Sequence, residues 1–432
     1  MINDVTIQLW GSTIGAATWV PEKRVAVFQY DPDFAKSGIE IAPIRMPLRE
    51  FPYEFPTLPG ATFKGLPGLL EDSLPDTYGN AVLDVWYALN GRIPEEINSV
   101  QRLATIARNG MGALEFKQKG QIPTKGALVK VQDLANVANR VVGAGGAVTI
   151  PTDGGRRVTL EMLRAGMYAG GASPKAIVAW NPQTDEFRTD SDRLPPDFEY
   201  WLIKFESTSP STAHDGTELP PQSGRIEYAY SLLAKRAGIT MSPCSLYEDQ
   251  ERRHFMTKRF DRLEGGGRVH MQSLAALGHY DYNKPGSNSY EQCIQIMRRL
   301  LLPVEDFQQQ VLRALFNIIL RNQDDHTKNI SFLMGRSGDW RLAPAFDVTF
   351  AYVPDGRWTS RHQMSLNGKR DKFEPEDLLA FAAYAGFKPS QANEMIHRVL
   401  EAADAWPEVA SQAGVDAVWI REIEKFFRRF AV

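Results

Sequence analysis

The sequence predicts an α+β fold of two domains: an N-terminal β-rich domain, and a larger C-terminal domain whose second lobe is mainly helical. Three observations carry this reading. Apolar residues alternate over 5–10 and 25–30 as in half-buried strands. A run of glycine and small residues at 141–155 interrupts the chain like a domain boundary. From Tyr290 onward, apolar positions recur at helical spacing.

In chain order, the 432 residues exceed what one ordinary core holds and suit two or three lobes. The segment at 46–52, with Pro47 and Pro52, is neither a helix interior nor a central strand, because proline lacks the donor that either requires. It is predicted to be an extended surface segment. An apolar helical pattern through Ala81, Val82, Val85 and Trp86 follows the run Leu66-Pro67-Gly68-Leu69-Leu70-Glu71-Asp72-Ser73-Leu74-Pro75-Asp76. With the boundary placed near 140, strands are predicted at 176–180, 200–205 and 253–260, and a helix at 225–237 ended by Gly238. Helices then follow through Cys293, Ile296, Met297 and Leu300, and through Phe307, Val311, Leu312, Leu315, Ile318 and Ile319.

Composition narrows the function classes. Apolar content of 43% and charged content of 23% describe a globular protein. The net charge of −3 offers no global positive field to hold a polyanion, so direct nucleic-acid binding is disfavoured. No apolar run approaches the roughly 20 residues of a bilayer span. The N-terminus lacks a basic segment followed by an apolar one, which predicts a cytoplasmic protein. The two cysteines, Cys244 and Cys293, give no CxxC and no disulfide framework, and are read as buried thiols.

The chemistry concentrates in one polar run. The apolar helix ending at Leu320 delivers Arg321-Asn322-Gln323-Asp324-Asp325-His326-Thr327-Lys328-Asn329, followed by Ile330 and Phe332. Asp324 and Asn329 are five apart, the spacing at which a protein-kinase catalytic loop sets a base and a metal-binding amide. A hairpin after Asn329 returns the chain to Asp347, a second hard-oxygen donor of the kind magnesium takes. These residue types also cap helices and make turns, so the run alone leaves both readings open. Upstream, Lys204 ends an apolar strand and Glu227 lies on the next helix, as a kinase pairs its phosphate-gripping lysine with a helix glutamate. Gly170, Gly171, Ala172, Ser173 and Lys175 precede a strand, where backbone N–H groups could approach phosphate oxygens. Lys258, Phe260 and Asp261 close the strand before the helical region, where a kinase hinge would stand. The order glycine loop, strand lysine, helix glutamate, hinge, catalytic loop and metal aspartate is the order of a protein-kinase-like domain.

Through these residues the sequence resembles the HipA family of serine/threonine kinases, the toxin components of type II toxin–antitoxin pairs. In the first part the resemblance rests on Tyr30-Asp31-Pro32, Met46-Pro47-Leu48-Arg49 and the run from Leu66 to Asp76. In the second it rests on 170–175, Lys204, Arg259-Phe260-Asp261-Arg262, the run from Asp324 to Asn329, and Leu342-Ala343-Pro344-Ala345-Phe346-Asp347. It implies a HipA-like N-terminal domain over 1–140 and a kinase-like domain over 141–432, divided into an ATP-binding lobe with its hinge (141–262) and a helical catalytic lobe (263–432). It further implies ATP and Mg2+ as cofactors, with Asp324 as base, Asn329 and Asp347 on the metal, and Lys204 on the phosphates. Lys258, Phe260 and Asp261 would line the adenosine pocket, and His326 and Lys328 would shape the catalytic loop.

The resemblance also implies a small helix-turn-helix antitoxin as partner (HipB-like), with DNA reached only through it and no membrane. A protein substrate, such as an aminoacyl-tRNA synthetase, is implied too. A non-catalytic ATP-binding corepressor and a small-molecule kinase on the same scaffold are the alternatives. One departure stands out. Family members commonly switch themselves off by phosphorylating a serine in or beside the glycine-rich loop, yet Gly166-Met167-Tyr168-Ala169 contains no serine and Ser173 lies inside the loop against Pro174. Incubation with magnesium and ATP is therefore expected to leave the loop essentially unmodified. Mass spectrometry showing stoichiometric phosphate on Ser173, with ATP binding lost, would overturn this.

Overall fold

The structure, a computed structural model, describes residues 3–118, 127–143, 163, 165–166, 173–189, 194–206, 211–212, 218–219, 222–249 and 252–431. The predicted glycine loop at Gly170, Gly171 and Ala172 lies outside them, as does most of 141–155.

The first domain is built on an antiparallel sheet. Strands β1 (Asp4–Leu9), β2 (Ser12–Val20), β3 (Val25–Tyr30) and β4 (Leu114–Lys117) lie in the order β3-β2-β1-β4. The period-2 alternation works as predicted: Val5, Ile7 and Leu9 enter the core while Asp4 and Thr6 face out. Helices α1 (Gly60–Phe63), α2 (Gly68–Glu71), α3 (Thr77–Leu89) and α4 (Ser99–Ile106) cover it, the last started by a capping box between Asn98 and Gln101. The segment at 46–52 forms neither helix nor strand and is largely exposed. Its first residue departs from a surface reading: Met46 is fully buried, and its carbonyl accepts the Tyr30 hydroxyl at 2.7 Å.

After β5 (Leu128–Val129) and α5 (Val131–Gly143) come β6 (Lys175–Asn181), β7 (Glu186–Thr189) and β8 (Glu199–Lys204). The short pair β9 (Ser211–Thr212) and β10 (Glu218–Leu219) precedes α6 (Ser223–Arg236), β11 (Cys244–Asp249) and β12 (Arg252–Lys258). Six of these strands form one sheet in the order β11-β12-β8-β6-β7-β5. Helix α6 packs on it and ends as predicted at Gly238, whose φ of +83° suits glycine. Cys293 is buried as expected, whereas Cys244 is half-buried.

The helical lobe opens with β13 (His270–Ser273), α7 (Leu274–Gly278), α8 (Tyr290–Arg299) and α9 (Val304–Ile319). Strands β14 (Ser331–Met334) and β15 (Trp340–Leu342) complete a three-stranded sheet with β13. Helices α10 (Pro375–Tyr384), α11 (Pro389–Asp404), α12 (Trp406–Gln412) and α13 (Ala417–Glu424) finish the chain. Among the described residues no helix is long and apolar enough to cross a membrane.

The two domains are sewn together by polar bonds from buried groups. Gly68 lets α2 approach α7 so closely that a Cβ there would stand 2.3 Å from the Ala276 carbonyl oxygen. Asp261 is the centre of a second seam. It is fully buried, accepts from the Gly112 N–H at 2.7 Å and pairs with Arg259 and Arg262 at 2.7 Å each. Both guanidiniums also donate to the Gly110 carbonyl. Burial pushes this carboxyl up, but the two arginines outweigh it and hold it well below the usual carboxylate range. The resemblance implies Asp261 in an adenosine pocket; in the structure its oxygens are engaged at the domain junction. Asp261→Asn is expected to cost about 3–5 kcal/mol in chemical denaturation, since it strands two buried arginines, and to leave ATP affinity within about twofold. A large loss of ATP affinity in a variant of undiminished stability would reinstate the pocket assignment.

Candidate active site

Register on the six-stranded sheet places two lysines side by side. Lys175 at the start of β6 pairs across the ladder with Lys204 at the end of β8. Trp201 and Ile203 of β8 point into the core, which brings Lys204 to the edge where α6 passes. There its ammonium lies 2.7 Å from the Glu227 carboxylate and also contacts Asp347. Burial pulls the Lys204 pKa down, but the carboxylates of Asp347 and Glu227 more than reverse this and keep it protonated. For Glu227 burial dominates, and its pKa is raised despite Lys204. Burial also raises Asp347, yet Lys204 and Lys175 hold its carboxyl well below the usual range.

Asp347 has φ of +55°, a left-handed conformation that aspartate tolerates better than most residues but that still costs energy outside glycine. Such strain concentrates at functional positions. Its side chain retains 31% exposure, so the carboxylate is both ion-paired and open to the cleft. Phe346, the residue before it, packs against Phe260 with ring centroids 5.7 Å apart. Lys258 is engaged by Glu199 at 2.6 Å on the strand opposite.

The polar run after α9 is braced from within. Arg321 turns the chain with φ of +58°. Asp325 is buried and accepts from the Tyr290 hydroxyl at 2.7 Å, His362 Nδ1 at 2.8 Å and the Gln363 N–H at 2.7 Å. Arg428 Nη1 faces His362 Nε2 at 3.0 Å, which makes Nε2 the acceptor and assigns the ring proton to Nδ1. Burial raises Asp325, but His362 and the other donors bring it below its ordinary value. Its neighbour Asp324 meets the opposite environment, with a side chain 47% exposed and the His326 ring nitrogen 3.9 Å away. The Asn329 amide donates to the Asp324 carbonyl at 2.9 Å, closing the loop and leaving its own Oδ1 as an acceptor. His326 lies close enough to Asp347 to lower its carboxyl, which links the loop to the Lys204 cluster.

Lys328 behaves differently from a cleft-facing catalytic residue. Its ammonium is turned into the first domain, 2.5 Å from Asp76 and 3.5 Å from Glu71, with the Tyr282 ring centroid 4.9 Å away. Burial alone would lower its pKa, and Asp76 and Glu71 more than offset that. Glu71 also pairs with Lys64 at 2.7 Å. Asp72 next to it accepts from Ser273, and burial lifts its pKa to about 6.

Of the residues singled out from sequence, the structure gathers Lys175, Lys204, Glu227 and Asp347, with Asp324, His326 and Asn329 on the adjoining loop. Ser173 is half-buried at the approach to β6. Asp261 lies apart from them at the domain junction, and Lys328 is turned toward the first domain. Sequence reasoning missed Glu71, Asp76 and Tyr282 around Lys328, and His362 behind Asp325. The acidic spacing in Glu71-Asp72-Ser73-Leu74-Pro75-Asp76 was the available signal for the first pair.

The donor set suits a magnesium-bound polyphosphate. Two lysines stand together across one ladder position, and a carboxylate and an amide oxygen are hard donors of the kind magnesium takes alongside phosphates and water. Among the described residues no cluster of three His, Cys, Asp or Glu side chains offers a dedicated all-protein metal cage.

Comparison with known proteins places residues 167–406, more than half the chain, in the HipA-like C-terminal domain family, and residues 5–117 in the HipA N-terminal domain family. A relative from Sinorhizobium fredii strain NGR234, named "Putative kinase Y4mE", is 25% identical over 201 residues, a match covering 44% of this chain and 40% of that protein. The solved toxin–antitoxin complex of HipA, HipB and operator DNA from Shewanella oneidensis MR-1 aligns with a TM-score of 0.68 and 19% identity. That alignment covers 98% of this chain and 95% of that one, and it is a likeness of fold.

The lysine pair has a pH signature. Burial, then the neighbouring Lys204, lowers Lys175 from an ordinary value of 10.5 to about 8. Between these values the unfolded chain holds a proton that the folded protein has released, so stability rises with pH across that window. Relative to Lys175→Met, the wild type is expected to gain about 3 kcal/mol between pH 8 and pH 10.5 in denaturant titrations. Parallel curves for the two proteins would show that Lys175 titrates normally.

Proposed function

The chain belongs to the HipA family, and from this premise we propose that it is a serine/threonine protein kinase dependent on ATP and magnesium. In this reading it is the toxin component of a toxin–antitoxin pair. The observation that carries the proposal is the Lys204 ammonium held between Glu227 and Asp347, beside a loop that presents Asp324 and Asn329.

Lys204 and Lys175 would bind phosphate oxygens, with Glu227 fixing the direction of Lys204. Asn329 and Asp347 would hold the magnesium. Bound magnesium supplies charge neutralisation at the β- and γ-phosphates. Asp324, the exposed member of the Asp324-Asp325 pair, would orient the attacking serine or threonine hydroxyl and take its proton, with His326 beside it. Asp325 would not react; its three hydrogen bonds hold Asp324 in place. Such a site works mainly by positioning and electrostatics. Phe260 and Phe346 would form an aromatic wall for the adenine.

The partner proposed is a small helix-turn-helix antitoxin of the HipB type, through which contact with DNA would run. The net charge of −3 is in keeping with that division of labour. An aminoacyl-tRNA synthetase is the proposed class of substrate, on family resemblance.

The test is transfer of labelled phosphate from ATP into proteins of a cell lysate. Asp324→Asn is expected to lower transfer about 10^2- to 10^4-fold, with ATP binding by calorimetry and the melting temperature nearly unchanged. Transfer at the wild-type rate in that variant would remove Asp324 from the mechanism. Transfer only into small metabolites would remove the protein-kinase reading.

A further inference from the structure

The catalytic loop is held in part by a carboxylate of the other domain. We infer that Asp76 is a positioning residue for Asp324 and Asn329, acting through Lys328 and Tyr282. The inference deepens the kinase reading of the site and rests on it for its activity arm.

The first observation is a cap given up. Asp76 occupies the N-cap position of α3, where an aspartate ordinarily accepts from the backbone of the first turn, yet its side chain makes no capping hydrogen bond. The carboxylate lies instead 2.5 Å from the Lys328 ammonium, 252 residues away in the chain. Glu71 is 3.5 Å off and takes Lys64 at 2.7 Å. Asp72 serves Ser273. The close counter-charge of Lys328 is therefore Asp76.

The second observation is what lies behind Lys328. It belongs to the single 3-10 turn Thr327–Asn329, so fixing its side chain fixes the peptide that carries Asn329. The Asn329 amide in turn holds the Asp324 carbonyl at 2.9 Å. A parallel route passes through Tyr282. Its hydroxyl donates to Asp76 at 3.4 Å, its ring faces Lys328, and it packs against the His326 ring with centroids 5.7 Å apart. The first route ends at Asn329 and Asp324, and the second at His326, whose ring nitrogen lies 3.9 Å from the Asp324 carboxylate.

A general gluing role is separable from this one. The domain junction has other seams, including Asp261 on the Gly112 N–H, Trp10 on the Arg268 carbonyl, Trp340 on the Glu40 carbonyl and Arg45 on the Gly278 carbonyl. Those bonds do not touch the catalytic loop. Loss of Asp76 leaves them intact while leaving a buried ammonium short of its nearest counter-ion.

Three variants of the full chain decide the matter: Asp76→Asn, Asp76→Glu, and the control Asp84→Asn. Asp84 lies on the same helix and pairs with Arg102 inside the first domain at 2.6 Å. Amide hydrogen exchange is read by mass spectrometry, and phosphate transfer by kcat and by KM for ATP. Asp76→Asn is expected to speed exchange over residues 324–330 about tenfold with the sheet at 4–30 unchanged, and to lower kcat about 10- to 100-fold with KM within about twofold. Asp76→Glu is expected to recover most of both, and Asp84→Asn to change neither. If Asp76→Asn does not fold, Asp76→Glu still reads the loop, with exchange raised a few-fold there and not in the sheet. Wild-type exchange in the loop, or equal loosening of the whole first domain, would overturn the inference. Absence of phosphate transfer in the wild type would sink the kinase reading, while the exchange arm would still decide whether Asp76 positions the loop.

Discussion

A buried ammonium shared by two carboxylates organises this molecule. Lys204 ends β8, Glu227 rides on α6, and Asp347 follows β15, so the three groups come from elements 23 and 143 residues apart in sequence from the lysine. Each of these charges would be costly to bury by itself, and removing the lysine would leave two neighbouring carboxylates uncompensated. The constraint therefore fixes α6 against the sheet and the exit of the β14–β15 hairpin against both. It also explains why Asp347 keeps a left-handed backbone: the ion pair holds a conformation that local sterics disfavour.

The same logic of environment separates two adjacent aspartates. Asp325 is enclosed and its oxygens are filled by Tyr290, His362 and Gln363. Asp324 keeps nearly half of its side chain in solvent and sits beside His326. Identical chemistry one residue apart thus yields a buried anchor and an exposed carboxylate. The anchor extends further, because Arg428, beyond the last helix, fixes the tautomer of His362 that Asp325 requires. Loop geometry at the cleft is consequently set by contacts from both ends of the chain, Asp76 in the first domain and Arg428 in the last segment.

Much of this was legible in sequence where local pattern carries the information. Alternation found the strands, Gly238 marked the end of α6, and spacing found Asp324 with Asn329 and Lys204 with Glu227. The contacts that sequence did not expose share a cause. Asp261, between arginines at 259 and 262, reads locally as a polar strand end, but the Gly112 amide that completes its burial lies 149 residues away. Lys328 reads locally as one more polar loop residue, and its counter-ions are more than 250 residues off. Charge pairs between domains have no periodicity and no local spacing, so only the folded arrangement exposes them. Met46 shows the same limit on a smaller scale: a proline-rich segment was correctly kept out of helix and strand, yet one side chain of it fills the core beneath Tyr30.

The site is also built against its own stability. Two lysines face each other across one ladder position, and Lys175 is displaced toward neutrality by burial and by that neighbour. Asp76 gives up a helix cap worth about 1 kcal/mol to reach Lys328. An apolar residue at 175 would avoid the first cost, whereas at 76 the forgone cap is set against the burial of the Lys328 ammonium, which takes that carboxylate as its counter-ion. Lys204 is held by Glu227 and Asp347, and Lys175 stands beside it within the field of the same carboxylates, so the sheet edge gathers both signs of charge in one cluster while Lys328 and Asp76 brace the neighbouring loop.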